Sequence, residues 1–385
     1  MIPIGKPYID RKDGWSYLCA KVNIDAQEHT AWFAVESQFE KYLTVERADA
    51  FVVSFLTTAM RKGEDIVCEA PLTKRLKYQL SQYLIPTMAA TMEIYNSIEL
   101  TAPTDDTPLG CEGAVATGWT GGADCMYTLL KHIDPYEKSK KLTHLLVAGN
   151  GAIESANSRG VLIKMMDNAR NTVGKDYGLS VIGIDSNTDL IQKENYLAVA
   201  GFRLPAVVLA AQKLFRVFYN SAGYEFSKFF FAQENSAYYE LLLVQCFETD
   251  STSFYSAGGS TPRIYKLKEL AEFEAARKYL HPCIYPGGKN CGTCGKCVRT
   301  QAALYSLGVL DRFGEVFDLE LFEKNKDDIF MQIIAKRNSQ HYGEVIYMMK
   351  KNNIDFPENV KRRARIMSSA MKVVRENREF LKEKM

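Results

Sequence analysis

Four apolar or β-branched runs, "EGAVATG" (112–118), "THLLVAG" (143–149), "LSVIGID" (179–185) and "FRVFYNSA" (215–222), recur with helix-compatible stretches between them. Runs that are apolar at almost every position belong to strands covered on both faces. Their alternation with helices predicts an α/β fold, a parallel twisted sheet with helices on both faces. Sheets of this kind bind ligands outside the carboxyl ends of the strands, where the strand order reverses. Three predicted strands end in small or polar residues suited to that place: "TGWTGGAD", "AGNGAIES" and "DSNTD". Asn150 and Asp185 are the candidates there for ligand contact, although either residue could simply cap a turn. Ser221 and the turn "SAGGS" (256–260) lie where a substrate pocket is expected.

At 385 residues the chain has room for two or three structural units. Residues 1–108 mix strand-like ("TAWFAVES", 30–37) and helix-like ("RADAFVVSFLTTAMRKG", 47–63) runs, as a small N-terminal α+β accessory domain would. The proline-rich "TAPTDDTPLG" (101–110) reads as a linker to a core spanning 109–310. A helical C-terminal segment, 311–385, follows. In it Val360, Ala364, Met367, Met371 and Val374 recur at helical spacing and predict one packed face. Lysine plus arginine, at 48, nearly balances aspartate plus glutamate, at 46, so no global positive field favours nucleic acid or an anionic membrane. Neither an apolar leader nor a run near the roughly 20 residues of a spanning helix is present, which leads to the expectation of a cytoplasmic protein. A homodimer is compatible with these features. Of nine cysteines, Cys19, Cys68, Cys111, Cys125 and Cys246 are scattered, while Cys283, Cys291, Cys294 and Cys297 crowd into one loop.

"ATGWTGGADCMYTLL" (116–130) places glycines between a predicted strand and a helix, where main-chain N–H groups converge on a helix N-terminus and favour an anion. A plain glycine turn is the alternative. The stretch lacks the lysine of a Walker loop and the G-x-G-x-x-G of a dinucleotide fingerprint. It resembles instead the S-G-G-x-D-[ST] loop of the PP-loop ATP pyrophosphatase superfamily, matched by Thr120, Gly121, Gly122, Ala123, Asp124 and Cys125, with Gly118 just before. The resemblance implies a Rossmann-like (HUP) core binding ATP and Mg2+. Thr120 and the N–H groups of Gly121 and Gly122 would hold phosphate, and Asp124 would lie beside the metal. Cys125 stands where the family has a hydroxyl.

The loop "HPCIYPGGKNCGTCGKCVRT" has the spacing C-x7-C-x2-C-x2-C, and four thiolates so spaced suit tetrahedral zinc. A site closed by four protein ligands leaves no place for a reacting water, so the zinc at 283–297 is structural. An iron–sulfur cluster on the same thiolates, or His281 in place of one of them, is the alternative. A glycine loop followed by such a cysteine loop and an arginine resembles the 7-cyano-7-deazaguanine synthase family, and "STPRIYKLKELAEF" (260–273) resembles that family's T-P-[LI]-x-x-[LS]-x-K segment. Thr261, Lys266 or Lys268, and Arg299 are thereby candidates for phosphate or substrate contact, with Asp124 and Lys266 the catalytic pair. The resemblance covers about 110–310.

It implies an enzyme that adenylates a small-molecule carboxylate or carbonyl, releases pyrophosphate and passes the activated carbon to ammonia or an amine, as a C–N ligase would. Nitrogen is favoured over sulfur because the paired cysteines are assigned to zinc, and no glutaminase domain is evident. A sulfur-transfer or RNA-modifying enzyme, for which the tail residues Lys361, Arg362, Arg363 and Arg365 and the loop residues Lys289, Lys296 and Arg299 speak, is one alternative. A non-catalytic ATP-binding sensor is another.

Overall fold

The computed structural model describes residues 1–152, 158–285 and 289–383, with side chains as far as residue 370. The chain divides into two compact units, residues 1–120 with 128–260, and residues 121–127 with 261–385.

Among the described residues thirteen strands belong to the first unit. They are β1 (Ile2–Ile4), β2 (Tyr8–Lys12), β3 (Trp15–Ile24), β4 (Gln27–Glu36), β5 (Ile66–Cys68), β6 (Leu72–Thr73), β7 (Leu100–Thr101) and β8 (Thr104–Asp105), then β9 (Ala114–Gly118), β10 (His144–Gly149), β11 (Ser180–Ser186), β12 (Phe215–Ser221) and β13 (Ser253–Ala257). Eleven form one sheet in the order β13-β12-β9-β10-β11-β4-β3-β1-β5-β7, with β2 beside β3, while β6 and β8 pair separately. From β13 to β11 every pairing is parallel. All four apolar runs of the sequence are strands of this block, which is an α/β arrangement with a mostly parallel sheet flanked by helices. Within it the chain proceeds from β9 outward through β10 to β11, then crosses to β12 and β13 on the other side, so the order reverses between β9 and β12.

The side-chain period of two sends alternate residues of β11 to opposite layers. Ile182 and Ile184 enter the large apolar cluster with Phe51, Phe55, Phe202 and Val207. Gly183, between them, faces the helix Ser158–Ala169, where a Cβ would collide with the Met166 thioether. The helices Asp49–Lys62 and Tyr196–Ala210 pack together over the cluster. The first is stopped by Gly63, whose left-handed φ of 65° lets its N–H close on Ala59 and Met60. Asn195 caps the second by accepting the Leu197 N–H at 3.0 Å. Fully buried side chains such as Phe33 and Phe51, 5.4 Å apart between ring centres, each contribute about 1.5–3 kcal/mol of transfer free energy.

The N-terminal hundred residues, expected as a separate α+β accessory domain, share this sheet and this core. Strand β4 pairs antiparallel with β11, through Ile184 opposite Val35, Asp185 opposite Ala34 and Ser186 opposite Phe33. The edge of β11 is thereby covered rather than left to pair elsewhere. The expected linker 101–110 also carries pairing residues: Thr101 lies opposite Val67, and Thr104 and Asp105 pair with Leu72 and Thr73. Pro103 falls between β7 and β8 and Pro108 after β8, where no ladder N–H is needed.

The second unit is helical. Gly295–Ser306 packs against Leu319–Ala335 and Gln340–Lys351, and Leu319–Ala335 packs against Glu358–Glu383. Val360 and Ala364 of the expected C-terminal stripe are fully buried and Met367 is half-buried, whereas the side chains of Met371 and Val374 lie outside the described residues. Arg363, beside that stripe, reaches Asp328 of the helix Leu319–Ala335 at 2.5 Å. Among the described residues no helix is long and apolar enough to cross a membrane.

Candidate functional site

In the second unit the glycine loop opens the helix Ala123–His132, whose C-terminal half belongs to the first unit. Gly121 has φ +75°, a conformation that disfavours any side chain. Its carbonyl accepts the His281 N–H at 2.7 Å, and a Cβ there would come within 3.1 Å of His281 Cβ. The first helical bond runs from the Met126 N–H to Gly122 O at 3.0 Å. Cys125 is buried and its thiol donates to that same carbonyl at 3.2 Å, so the cysteine braces the loop from within.

Asp124 lies in the first turn of the helix. Its Oδ2 is paired with the Arg263 guanidinium and its Oδ1 with Lys266 Nζ at 3.3 Å, with side-chain exposures of 19% for Asp124, 16% for Arg263 and 2% for Lys266. Burial alone would raise the pKa of this carboxyl, but the charges of Arg263 and Lys266 outweigh it and hold the group below its ordinary value. Lys266 Nζ also sits over the Tyr127 ring, 5.7 Å from its centre. The sequence left Lys266 and Lys268 as alternatives. The helix Arg263–Leu270 buries Lys266 beside Asp124 and turns Lys268 to solvent. Thr261, just before that helix, accepts a hydrogen bond from the Tyr127 hydroxyl at 3.3 Å, and the same hydroxyl reaches Glu269 at 3.1 Å.

Arg299 and Arg263 line one crevice together with His341 and Glu344. With a volume of 10 Å³ it has room for about one water molecule, so it is a gap between charged side chains and not a nucleotide cleft. Glu344 Oε2 accepts the Ile264 N–H at 2.9 Å, which fixes the start of the helix that presents Arg263 and Lys266. His341 is held neutral: burial, reinforced by Arg263 and Arg299, pushes its pKa down to about 2. Arg263 and Lys266 therefore sit on Asp124, with Arg299 and Glu344 beside Arg263 in the crevice and the charge of Lys296 also reaching Asp124. Arg263 Nε is buried and has no acceptor among the described residues. An unsatisfied guanidinium N–H, a second cation and a helix N-terminus can together take phosphate oxygens, and a carboxylate in the same first turn can take a divalent cation bound to them.

Sequence reasoning missed Arg263, His341 and Glu344. For Arg263 a signal existed, since it stands three residues before Lys266 and thus on the same helix face. His341 and Glu344 carry no motif and reach the cluster only through the packing of Gln340–Lys351.

The remaining candidates belong to the first unit. Gly118 ends β9, and Thr120 is exposed two residues later. Asn150 is buried and paired with Tyr196. Asp185, at the end of β11, accepts from Arg159 Nε at 2.8 Å. Burial nevertheless raises its pKa, despite the arginine. Ser221 Oγ lies 3.1 Å from Thr117 Oγ1 and 2.8 Å from Thr128 Oγ1, at the carboxyl ends of β9 and β12 where the order reverses. Ser256 of the "SAGGS" turn bonds Glu240, which also accepts from Asn220 at 2.9 Å. Of "AGNGAIES", residues 153–155 lie outside the described residues.

The cysteine loop forms a four-sulfur cluster in which all Sγ atoms of Cys283, Cys291, Cys294 and Cys297 lie within 4.8 Å of one another. Zinc bound to sulfur at ~2.3 Å makes a tetrahedron with edges of roughly 3.8 Å. The Cys291–Cys297 separation of 3.9 Å matches that edge. Cys294 caps the helix Gly295–Ser306, its Sγ accepting the Cys297 N–H at 3.5 Å, and Cys291 Sγ accepts the Cys294 N–H at 3.3 Å. Such N–H groups aimed at sulfur favour thiolates. The cluster can hold a structural metal such as zinc, and the helix it starts carries Arg299. His281, the alternative ligand, is instead engaged through Nε2 with the Tyr285 carbonyl at 2.9 Å.

Comparison with protein-family models, with curated proteins and with solved structures finds no match to this chain.

Proposed function

We propose that the protein is an ATP-dependent enzyme of the PP-loop type, with a Rossmann-like (HUP) core. It would adenylate a small-molecule carboxylate or carbonyl and deliver the activated carbon to ammonia or an amine. The observation that carries the reading is the set around Asp124, where two cations and a helix N-terminus meet in the loop whose sequence is T-G-G-A-D-C. In the first step a substrate oxygen attacks the α-phosphorus of ATP and the bond to the β-phosphate oxygen breaks. The developing charge on pyrophosphate would fall to Arg263, Lys266 and the Gly121 and Gly122 N–H groups. In the second, nitrogen attacks the activated carbon and AMP leaves with the bonding electron pair. Bound magnesium would supply further charge neutralisation, with Asp124 its protein ligand. The cysteine cluster, loaded with structural zinc, would hold the helix of Arg299 in register.

The test is phosphorus NMR of the protein with magnesium-ATP and ammonium, with and without a small-molecule cell extract. AMP and pyrophosphate that appear only with extract support the reading, and Asp124→Ala should abolish them while circular dichroism stays unchanged. ADP and phosphate would mean cleavage at another bond and would overturn it.

A further inference from the structure

Asp124, Arg263 and Lys266 have an arrangement that the reading above does not by itself require. The phosphate-binding cations are already occupied, by the carboxylate assigned to the metal. Arg263 gives Nη2 to one oxygen and Lys266 gives Nζ to the other, leaving Arg263 Nε buried without an acceptor among the described residues. A guanidinium has five donors in a fixed fork and binds an oxyanion best through two of them. Here it holds its carboxylate with an unsatisfied donor alongside.

We propose, resting on that reading, that Asp124 is a resident anion, a built-in competitor for the phosphate site formed by Arg263 and Lys266, and that a divalent cation arriving with the polyphosphate draws it away. With metal present the carboxylate turns to the cation. Arg263 and Lys266 can then turn donors toward phosphate oxygens, and the fork of Arg263 satisfies its Nε. Without metal, a polyphosphate must displace a carboxylate held by two charges and finds a negative group in its place. The device selects the metal complex of the ligand over the free polyanion before any chemistry occurs.

The test is calorimetric titration with pyrophosphate of zinc-retaining protein, without added magnesium and then with magnesium in excess. The parent should bind the magnesium complex well and the free anion poorly. Asp124→Asn keeps the shape of the side chain and removes its charge. It should bind free pyrophosphate roughly tenfold tighter or more than the parent, the scale of one charge-assisted hydrogen bond, and lose the gain from magnesium. Adding Arg263→Gln to that variant should cancel the increase. Free pyrophosphate bound no tighter by Asp124→Asn, while the parent still binds the magnesium complex, overturns the exchange and leaves the nucleotide reading standing. No binding by any form overturns both. If Asp124→Asn does not fold, the 15Nε–H resonance of Arg263 in the parent, assigned by its loss in Arg263→Gln, decides. It should shift on saturation with magnesium pyrophosphate, and an unmoved resonance overturns the proposal.

Discussion

Two buried aspartates, one in each unit, show what burial alone does and what burial beside cations does. Asp49 in the first unit is fully buried and is satisfied by neutral donors: the Thr73 N–H at 2.8 Å, the Thr73 hydroxyl at 2.5 Å and Gln212 Nε2 at 3.0 Å. Burial dominates, and its pKa is raised. Asp124 in the second unit is paired with Arg263 and Lys266, and its pKa is lowered. The first arrangement joins the start of helix Asp49–Lys62 to β6 and to the Gln212 side chain, with Arg47 reaching it only through the Thr73 hydroxyl. The second sets two cations directly on the carboxylate in the first turn of a helix. A carboxylate satisfied by neutral donors serves the fold, whereas cations gathered at a helix N-terminus suit an anionic ligand.

The largest effect expected in either unit comes from the metal cluster on which the charged side depends. Cys294→Ser removes one thiolate while leaving a hydroxyl able to cap helix Gly295–Ser306, so it isolates the loss of the metal ligand. Structural zinc in small metal-folded domains contributes apparent free energies of about 10–16 kcal/mol. Even a small part of that would melt the helix bearing Arg299 at ordinary temperatures. Elemental analysis should find about one zinc per chain in the parent and none in the variant, with a large fall in melting temperature. Iron and a visible chromophore in the parent would replace zinc by a cluster on the same four sulfurs.

Next in size is the contrast itself. Asp49→Ala leaves the Thr73 N–H and Gln212 Nε2 buried without an acceptor, at a cost of about 1–3 kcal/mol for each group. Denaturant unfolding should report a loss of several kcal/mol, while pyrophosphate binding per folded molecule stays at the parental level. Asp124→Ala unpairs Lys266 and Arg263 and should also lose stability, but unlike Asp49→Ala it should change the ligand response per folded molecule. Equal behaviour of the two variants would erase the distinction between the closed and the charged aspartate.

The parallel block was legible because both its signals are local. Apolar runs of five to seven residues marked β9 to β12 to within a residue or two, and the cysteine spacing marked the cluster without any knowledge of the fold. Strand β13 escaped because "SFYSA" is an edge strand whose exposed Tyr255 breaks the apolar run. The union of β4 with β11 escaped too, since an antiparallel pairing between Val35 and Ile184 leaves no trace in either segment taken alone. At the site, Asp124 and Lys266 were readable through motifs. His341 and Glu344 were not, because a helix with no motif delivers them and only tertiary packing brings them to Arg263.

That packing supplies the smallest and most specific prediction. His341 is surrounded by Arg263, Arg299 and Lys266, which oppose its protonation, and by Asp124, which favours it, with Glu344 Oε1 3.9 Å away. Burial and the arginines prevail, and the folded pKa falls to about 2 from an ordinary value of 6.5. In the unfolded chain the imidazole protonates normally, so below pH 6.5 the unfolded state binds a proton that the folded state refuses. The stabilising contribution is therefore complete above pH 6.5 and is lost as pH falls from there toward 2, at roughly 1 kcal/mol per pH unit. Replacing the ring by an amide in His341→Gln removes this proton from the balance. Denaturant unfolding of the zinc-loaded parent and variant at pH 7.5 and pH 5.5 should show the parent losing roughly 1 kcal/mol more than the variant. Zinc release and carboxylate protonation act on both proteins and cancel in the difference. Identical pH dependence would mean that the imidazole is protonated inside the cluster, adding a fourth cation and making the need for an anion there greater still.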